Sequence, residues 1–249
     1  PGKTVNLLAA FPDLDSAVYS VARIVRTGIS VISCELMDKI SVDITTKHVN
    51  TPLPCQDRAD AFLLIQIEAD SEERLEDGYE KVGTLCLENG ALEVFVAESR
   101  TESTMIWNIR QNLAEAMRAH DPYCSLSGDM VVPLSAVPEM VEEIRKAAKE
   151  RGIAVGILGH IADGNLHPII FKPAGMEPME WAEYAEAFYD DLTSVALRLG
   201  GVGSGEHGIG YVKMPIFLHS KPGEEIEIMK GIKRSFDPQE ILNPGKLLG

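Results

Sequence analysis

The 249-residue sequence predicts an α+β fold, duplicated ferredoxin-like β-α-β units that form a largely antiparallel sheet with helices packed on it. Two observations carry that expectation. Apolar runs of strand length alternate with segments of helical period in two successive β-α-β rounds. A chain of this length with 45% hydrophobic residues can also bury a core without disulfide or metal staples. In the first round residues 5–11 read as a strand, 13–27 as a helix, and 31–46 as one long or two short strands around Met37-Asp38-Lys39. The loop Val49-Asn50-Thr51-Pro52-Leu53-Pro54 breaks the pattern. The second round is a strand at 61–69, a helix at 71–89 and a strand at 92–97, followed by a helix at 103–120 and a strand at 127–133.

A third round opens with Ser135 as N-cap, continues through the stripe Val137, Val141, Ile144 and Ala148, and stops at Gly152. Residues 153–158 follow as a strand. Trp181, Tyr184, Phe188, Leu192, Val195 and Leu199 then fall at helical spacing, an aromatic stripe that reads as core. A Gly-rich loop spans 200–210, a short acidic helix spans 224–236, and the chain ends through Asn243-Pro244-Gly245-Lys246.

Composition excludes several classes. A net charge of −15, with 23 basic residues dispersed among 38 acidic ones and no Lys/Arg run, argues against a nucleic-acid partner. An anionic substrate would need local, dedicated positive groups. Cys34, Cys55, Cys86 and Cys124 form no C-x-x-C and no compact framework, so they read as buried reduced thiols in a cytoplasmic protein. No run reaches the roughly 18 consecutive apolar residues of a transmembrane segment. The start, Pro1-Gly2-Lys3-Thr4, lacks an initiator Met and a signal pattern and runs straight into an apolar strand, which suggests a chain excised from a longer one.

The stretch Gly159-His160-Ile161-Ala162-Asp163-Gly164-Asn165-Leu166-His167-Pro168 carries the chemistry. If Asp163-Gly164 is a two-residue hairpin turn, Ala162 pairs with Asn165, Ile161 with Leu166 and His160 with His167. Opposed Cβ atoms would stand about 4.5–5.5 Å apart, close enough for two imidazoles to share an ion at about 2.1 Å each. Asn165 shares their face; Ile161 and Leu166 face the core. In Ser204-Gly205-Glu206-His207-Gly208, a carboxylate and an imidazole sit side by side in a glycine-rich loop. If Glu206 joins His160 and His167, two histidines and one carboxylate make an open site that suits Zn, Mn or Fe, with His207 free as a base. The alternatives are a histidine pair across a hairpin and a local Glu206–His207 hydrogen bond. The formal G-x-G-x-x-G at Gly203, Gly205 and Gly208 is not a dinucleotide fingerprint, because residues 209–215 cannot open a helix at its glycines. Arg110 shares a stripe with Ile106, Leu113 and Met117. A guanidinium on an apolar face needs an anion, either an internal acid or a substrate carboxylate, unless its stem snorkels to water.

Three runs, 160–167, 204–210 and the ending Asp237-Pro238 to Asn243-Pro244-Gly245-Lys246, together resemble one family, the C-terminal domain of FAD-linked 2-hydroxyacid dehydrogenases. That family includes the glycolate oxidase flavin subunit, D-lactate dehydrogenase and D-2-hydroxyglutarate dehydrogenase, within the vanillyl-alcohol oxidase type. Trp107-Asn108-Ile109-Arg110 and Asp129-Met130-Val131-Val132-Pro133 fit it too, so the resemblance covers 1–249 as one substrate and cap domain. It implies His160, His167 and Glu206 as ligands of a divalent metal, His207 as base, Arg110 and Asn165 as substrate-positioning residues, and Asn243 and Lys246 as contacts to FAD. It also implies an N-terminal FAD domain as partner, outside these residues. Two departures stand out: Ala162 where the family usually has Gly, and Ser127 where some dicarboxylate-specific members have Lys.

The function so implied is oxidation of a small D-2-hydroxy acid such as lactate or glycolate to its 2-oxo acid, with the chain inactive without flavin. A self-contained metal-dependent hydrolase and a non-catalytic interaction module are the rivals. A homo-oligomer and peripheral membrane association of the full-length protein stay open.

Overall fold

The computed structural model describes residues 2–246 and Leu248; Pro1, the expected cut end, lies outside them. The strands are β1 (Lys3–Phe11), β2 (Val31–Asp38), β3 (Ala61–Ala69), β4 (Glu93–Ala97), β5 (Met130–Val131), β6 (Val155–His160) and β7 (Asn165–Ile170). The helices are α1 (Leu14–Arg26), α2 (Lys39–Val49), α3 (Glu72–Glu88), α4 (Arg100–His120), α5 (Val137–Arg151), α6 (Pro178–Arg198), α7 (Met214–Ser220) and α8 (Gly223–Phe236).

All seven strands join one antiparallel sheet in the order β4-β1-β3-β2-β6-β7-β5. The first four, with α1 and α3 as crossovers, have the ferredoxin-like order, fourth, first, third, second. Beyond β2 the same order runs in mirror image: β6, β7, β5, and then Val202, which bridges to Val131. The duplication is real, but the two rounds legible in the first hundred residues are halves of one unit. The second unit is β5-α5-β6-β7-α6-Val202, and β2 and β6 form the seam.

Helices α1, α3, α5 and α6 cover one sheet face, packing Val21, Ile24, Val82, Val141, Ile144, Phe188 and Leu192 on Leu7, Ala9, Leu63, Ile65, Ile157 and Ile170. On the other face α2 and α4 pack Val42, Ile106, Ile109, Leu113 and Met117 on Leu8, Ala10, Phe62, Leu64, Leu158 and Ile169. Strands covered on both faces read as near-continuous apolar runs, as residues 5–11 and 61–67 do apart from Asn6 and Gln66.

Several elements differ from the sequence expectation. Residues 39–49 form a helix where strand was expected through residue 46. Their β-branched content (Ile40, Val42, Ile44, Thr45, Thr46) favours extended structure. The Asp38 carboxylate, however, caps the helix by accepting the Ser41 N–H at 2.9 Å, and the Thr45 and Thr46 hydroxyls donate to carbonyls four residues back. Helix α4 begins earlier than expected, at a capping box between Ser99 and Glu102. The strand expected at 127–133 shrinks to Met130–Val131. Ser135 caps nothing: it lies in a 3-10 turn, Leu134–Ala136, that leads into α5, whereas Gly152 ends that helix at φ 64° as expected. Met214–Ser220 does form a helix, but it opens beyond Gly208, so the glycines at 203–208 cap no helix N-terminus. Of the cysteines, Cys34 and Cys86 are buried, while Cys55 and Cys124 are only partly so.

Candidate metal centre

The open part of the second sheet face carries the polar residues. Strand alternation places Glu35 of β2, His160 of β6, and Asn165 and His167 of β7 on the side that α4 covers over the first unit. The hairpin is not the two-residue turn expected. Residues Ile161–Asp163 form a 3-10 turn closed by Gly164 at φ 74°, where a Cβ would also run into the Val132 carbonyl. His167 therefore stands opposite Leu158, and His160 opposite Glu35 in β2. The shift along β7 is an even number of residues, so both imidazoles keep the predicted face. They meet as diagonal neighbours, ring centroids 5.6 Å apart and planes at 89°. Ala162 has no positive φ, so its departure from glycine costs the backbone nothing.

The distant loop closes on the same point. Glu206 Oε1 lies 3.3 Å from His160 Nε2 and 3.1 Å from His167 Nε2. Ligand atoms sharing a cation at about 2.1 Å stand about 3.0 Å apart in octahedral and about 3.4 Å apart in tetrahedral arrangements. Both Nδ1 atoms are occupied: that of His160 lies 2.9 Å from the Glu35 carboxylate and that of His167 lies 3.1 Å from the Gly128 carbonyl. Those partners only accept, so each Nδ1 donates, and a neutral ring turns the lone pair of Nε2 toward Glu206. Burial holds the His167 pKa below its ordinary value, which favours the neutral ring. Three electron-rich atoms converging on one point could hold a cation between them, and the donor set suits a divalent metal.

Asp129 fixes the loop. It is fully buried and accepts the N–H groups of Glu206 and His207, the Ser204 hydroxyl and the Lys213 ammonium. Burial alone would raise its pKa, but these donors bring it down to about 2. Gly205 lets the loop lie on β5, since a Cβ there would press on Val131 at 2.5 Å. His207 stacks on His167, centroids 5.0 Å apart, and turns Nδ1 to within 3.9 Å of Asp129.

Arg110 has the internal acid that was one of its two expected partners. Its Nε and Nη2 lie 2.9 and 2.8 Å from Glu35 Oε2. Burial opposes ionisation of Glu35, but hydrogen bonding from His160 and the Arg110 charge hold its pKa below the ordinary value. The same Glu35 contact raises the His160 pKa. Arg110, His160, His167, Glu206 and His207 line one cleft of about 390 Å³, with Trp107 and Arg118. Asn165 is buried outside that lining, with an Oδ1 that has no hydrogen-bond partner among the described residues. Asn243 and Lys246 are exposed in a terminal turn outside the cleft lining. Sequence reasoning passed over Glu35 and gave Asp129 no role. A single acid in the apolar run Val31-Ile32-Ser33-Cys34-Glu35-Leu36-Met37 was the available signal.

The model of the FAD linked oxidases, C-terminal domain, matches residues 1–247. The chain belongs to that family. It is 32% identical over 251 residues to a D-lactate dehydrogenase of Anaerostipes hadrus, covering 99% of this chain and 52% of that protein. It is also 32% identical over 242 residues to the glycolate oxidase subunit GlcD of Escherichia coli K12, covering 96% of this chain and 47% of that one. The FAD-linked oxidase domain thus spans about half the length of the curated relatives it matches. A 4-ethylphenol oxidase from Gulosibacter chungangensis shares its fold at 13% identity, with a TM-score of 0.71 over 100% of this chain and 54% of that one. No helix among the described residues is long and apolar enough to cross a membrane.

Proposed function

We propose that this chain is the substrate- and metal-binding domain of an FAD-dependent oxidoreductase that converts a small D-2-hydroxy acid, such as lactate or glycolate, to the 2-oxo acid. FAD is held mainly by an N-terminal domain outside these residues. The convergence of His160 Nε2, His167 Nε2 and Glu206 Oε1, with both Nδ1 atoms tied off, carries the reading. A divalent metal, Zn, Mn or Fe, would be held by these three side chains and would acidify the substrate hydroxyl as it acidifies bound water, while FAD would accept the hydride from C2.

The protein's own residues do the rest. Arg110 spends one edge of its guanidinium on Glu35 and turns the other toward the substrate carboxylate. Arg118 adds positive charge to the same cleft, which an acidic chain needs if it is to hold an anion. Asn165, on the same sheet face as the two histidines but buried outside the cleft lining, positions the substrate from beneath them. His207, exposed at the cleft and held there by Asp129 through its backbone N–H, takes the hydroxyl proton on Nε2. Asn243 and Lys246 contact the flavin from the C-terminal turn.

Elemental analysis of the purified chain beside His160→Ala tests the ligand set. Stoichiometric metal is expected in the first and its loss in the second; equal content overturns the assignment. The oxidation itself is tested by joining the chain to a flavin domain: D-lactate or glycolate should bleach the flavin, and His207→Ala should slow bleaching roughly 10²–10⁴-fold, the usual contribution of a general base.

A further inference from the structure

Resting on the reading of His160, His167 and Glu206 as ligands of one cation, we propose that Glu35 is a positioning residue for that centre, reaching from the first unit across the seam into the second. Glu35 lies on β2 directly opposite His160 on β6, in the three-pair ladder that joins the two units. Its side chain is 5% exposed in a strand whose neighbours Cys34, Leu36 and Met37 are core. An apolar residue would serve packing there at least as well, because a carboxylate must be stripped of water to enter. The partners explain what the charge does. Its oxygens accept the His160 Nδ1–H at 2.9 Å and the Arg110 Nε–H and Nη2–H at 2.9 and 2.8 Å.

A carboxylate behind a ligating imidazole fixes its tautomer, aims the opposite nitrogen and makes that nitrogen a stronger donor. His167 Nδ1 instead hydrogen-bonds a neutral group, the Gly128 carbonyl at 3.1 Å, with the Asp129 carboxylate farther off at 3.9 Å. The two imidazoles are therefore unequal, and His160, polarised by a full charge, is the stronger donor. Arg110 neutralises the buried charge through its Nε/Nη2 edge. The guanidinium and the ligand ring thereby hang from one carboxylate, which sets the distance between the two features that a 2-hydroxy acid must touch, a cation for its hydroxyl and a fork for its carboxylate.

Cobalt(II) titration of the whole chain, followed by the visible bands of the bound ion, tests the role. Glu35→Gln keeps the shape and an acceptor but removes the charge; cobalt Kd should rise about 10–100-fold, the usual effect of losing such a partner, and the bands should shift. Arg110→Gln disturbs the same buried cluster but leaves the carboxylate behind His160, so cobalt affinity should hold. The double variant Glu35→Gln/Arg110→Gln removes both charges of this pair and should bind cobalt as weakly as Glu35→Gln; melts of the metal-free proteins establish which variants fold. Wild-type affinity and bands in a folded Glu35 variant would overturn the proposal. So would equal weakening by Arg110→Gln, since the effect would then be one of packing. His167→Ala separates the two readings: if it binds cobalt as the unsubstituted chain does, or if neither binds, the ligand set fails and takes Glu35 with it.

Discussion

The two units share a strand order, mirrored about the β2–β6 seam, and differ in what covers them. In the first, β1, β2 and β3 run eight or nine residues each, with helices on both faces. Its polar groups under α4 are closely partnered: Asn6 donates to Ser103 and accepts from Trp107. In the second unit β5 is two residues long, β6 and β7 are six each, and the face bearing His160 and His167 is left partly open. A sheet face beneath a helix cannot hold unpaired imidazoles and carboxylates, because burial without partners costs several kcal/mol for each such group. Leaving one of two like units uncovered turns a core surface into a site, and the complete unit beside it supplies rigidity and Glu35.

Substitutions on the two sides of the seam should therefore separate stability from metal binding. The largest effect on both is expected at Asp129→Ala, which strands the mostly buried Lys213 ammonium and frees the loop carrying Glu206 and His207. Removing one member of such a buried pair costs roughly 3–5 kcal/mol. Denaturant unfolding should show that loss, and metal analysis should show an emptied centre. If the variant keeps its metal, the loop is held by something other than Asp129.

Leu63→Ala, in the central strand β3, should cost roughly 2–5 kcal/mol by opening a cavity among fully buried neighbours. Its metal content should be unchanged below the melting transition. Metal loss in the folded variant would mean that the two units are not separable as described.

The smallest effect is a pH dependence in the first unit. Burial raises the Asp38 pKa from 3.8 to about 6, despite the N–H groups of Ser41 and Ile157 that it accepts. The folded state holds this proton more tightly than the unfolded one. Its contribution is thus fully present below about pH 4 and lost as pH rises through about 6. Melting temperatures across that window should fall relative to Asp38→Asn, which cannot titrate. Parallel curves for the two proteins would place the proton elsewhere.

The first unit was legible in sequence except where caps and packing overrode propensity. Residues 5–11 and 61–69 announce themselves as apolar runs, and Gly152 ends α5 as glycines do. The helix at 39–49 was hidden because its β-branched residues favour strand, and what reverses them is the Asp38 cap and the cover that Val42 finds in the core. At the site, alternation put His160, His167 and Asn165 on one face correctly, while the pairing register was misjudged. The turn type depends on Gly164 fitting against Val132, a contact that no local pattern encodes.

By itself the sequence determined most of the strands and helices, the sheet face that the site residues take, and which residue types could hold a metal. Those are local properties, set by side-chain period and backbone propensity within a few residues. Only the tertiary structure decided that Glu35 stands behind His160, that Asp129 gathers a loop from some seventy-five residues away, and that Arg110 spends one edge inside the protein. Contacts at that separation depend on how whole strands pair, and the same hydrophobic pattern is compatible with several pairings until the core is packed.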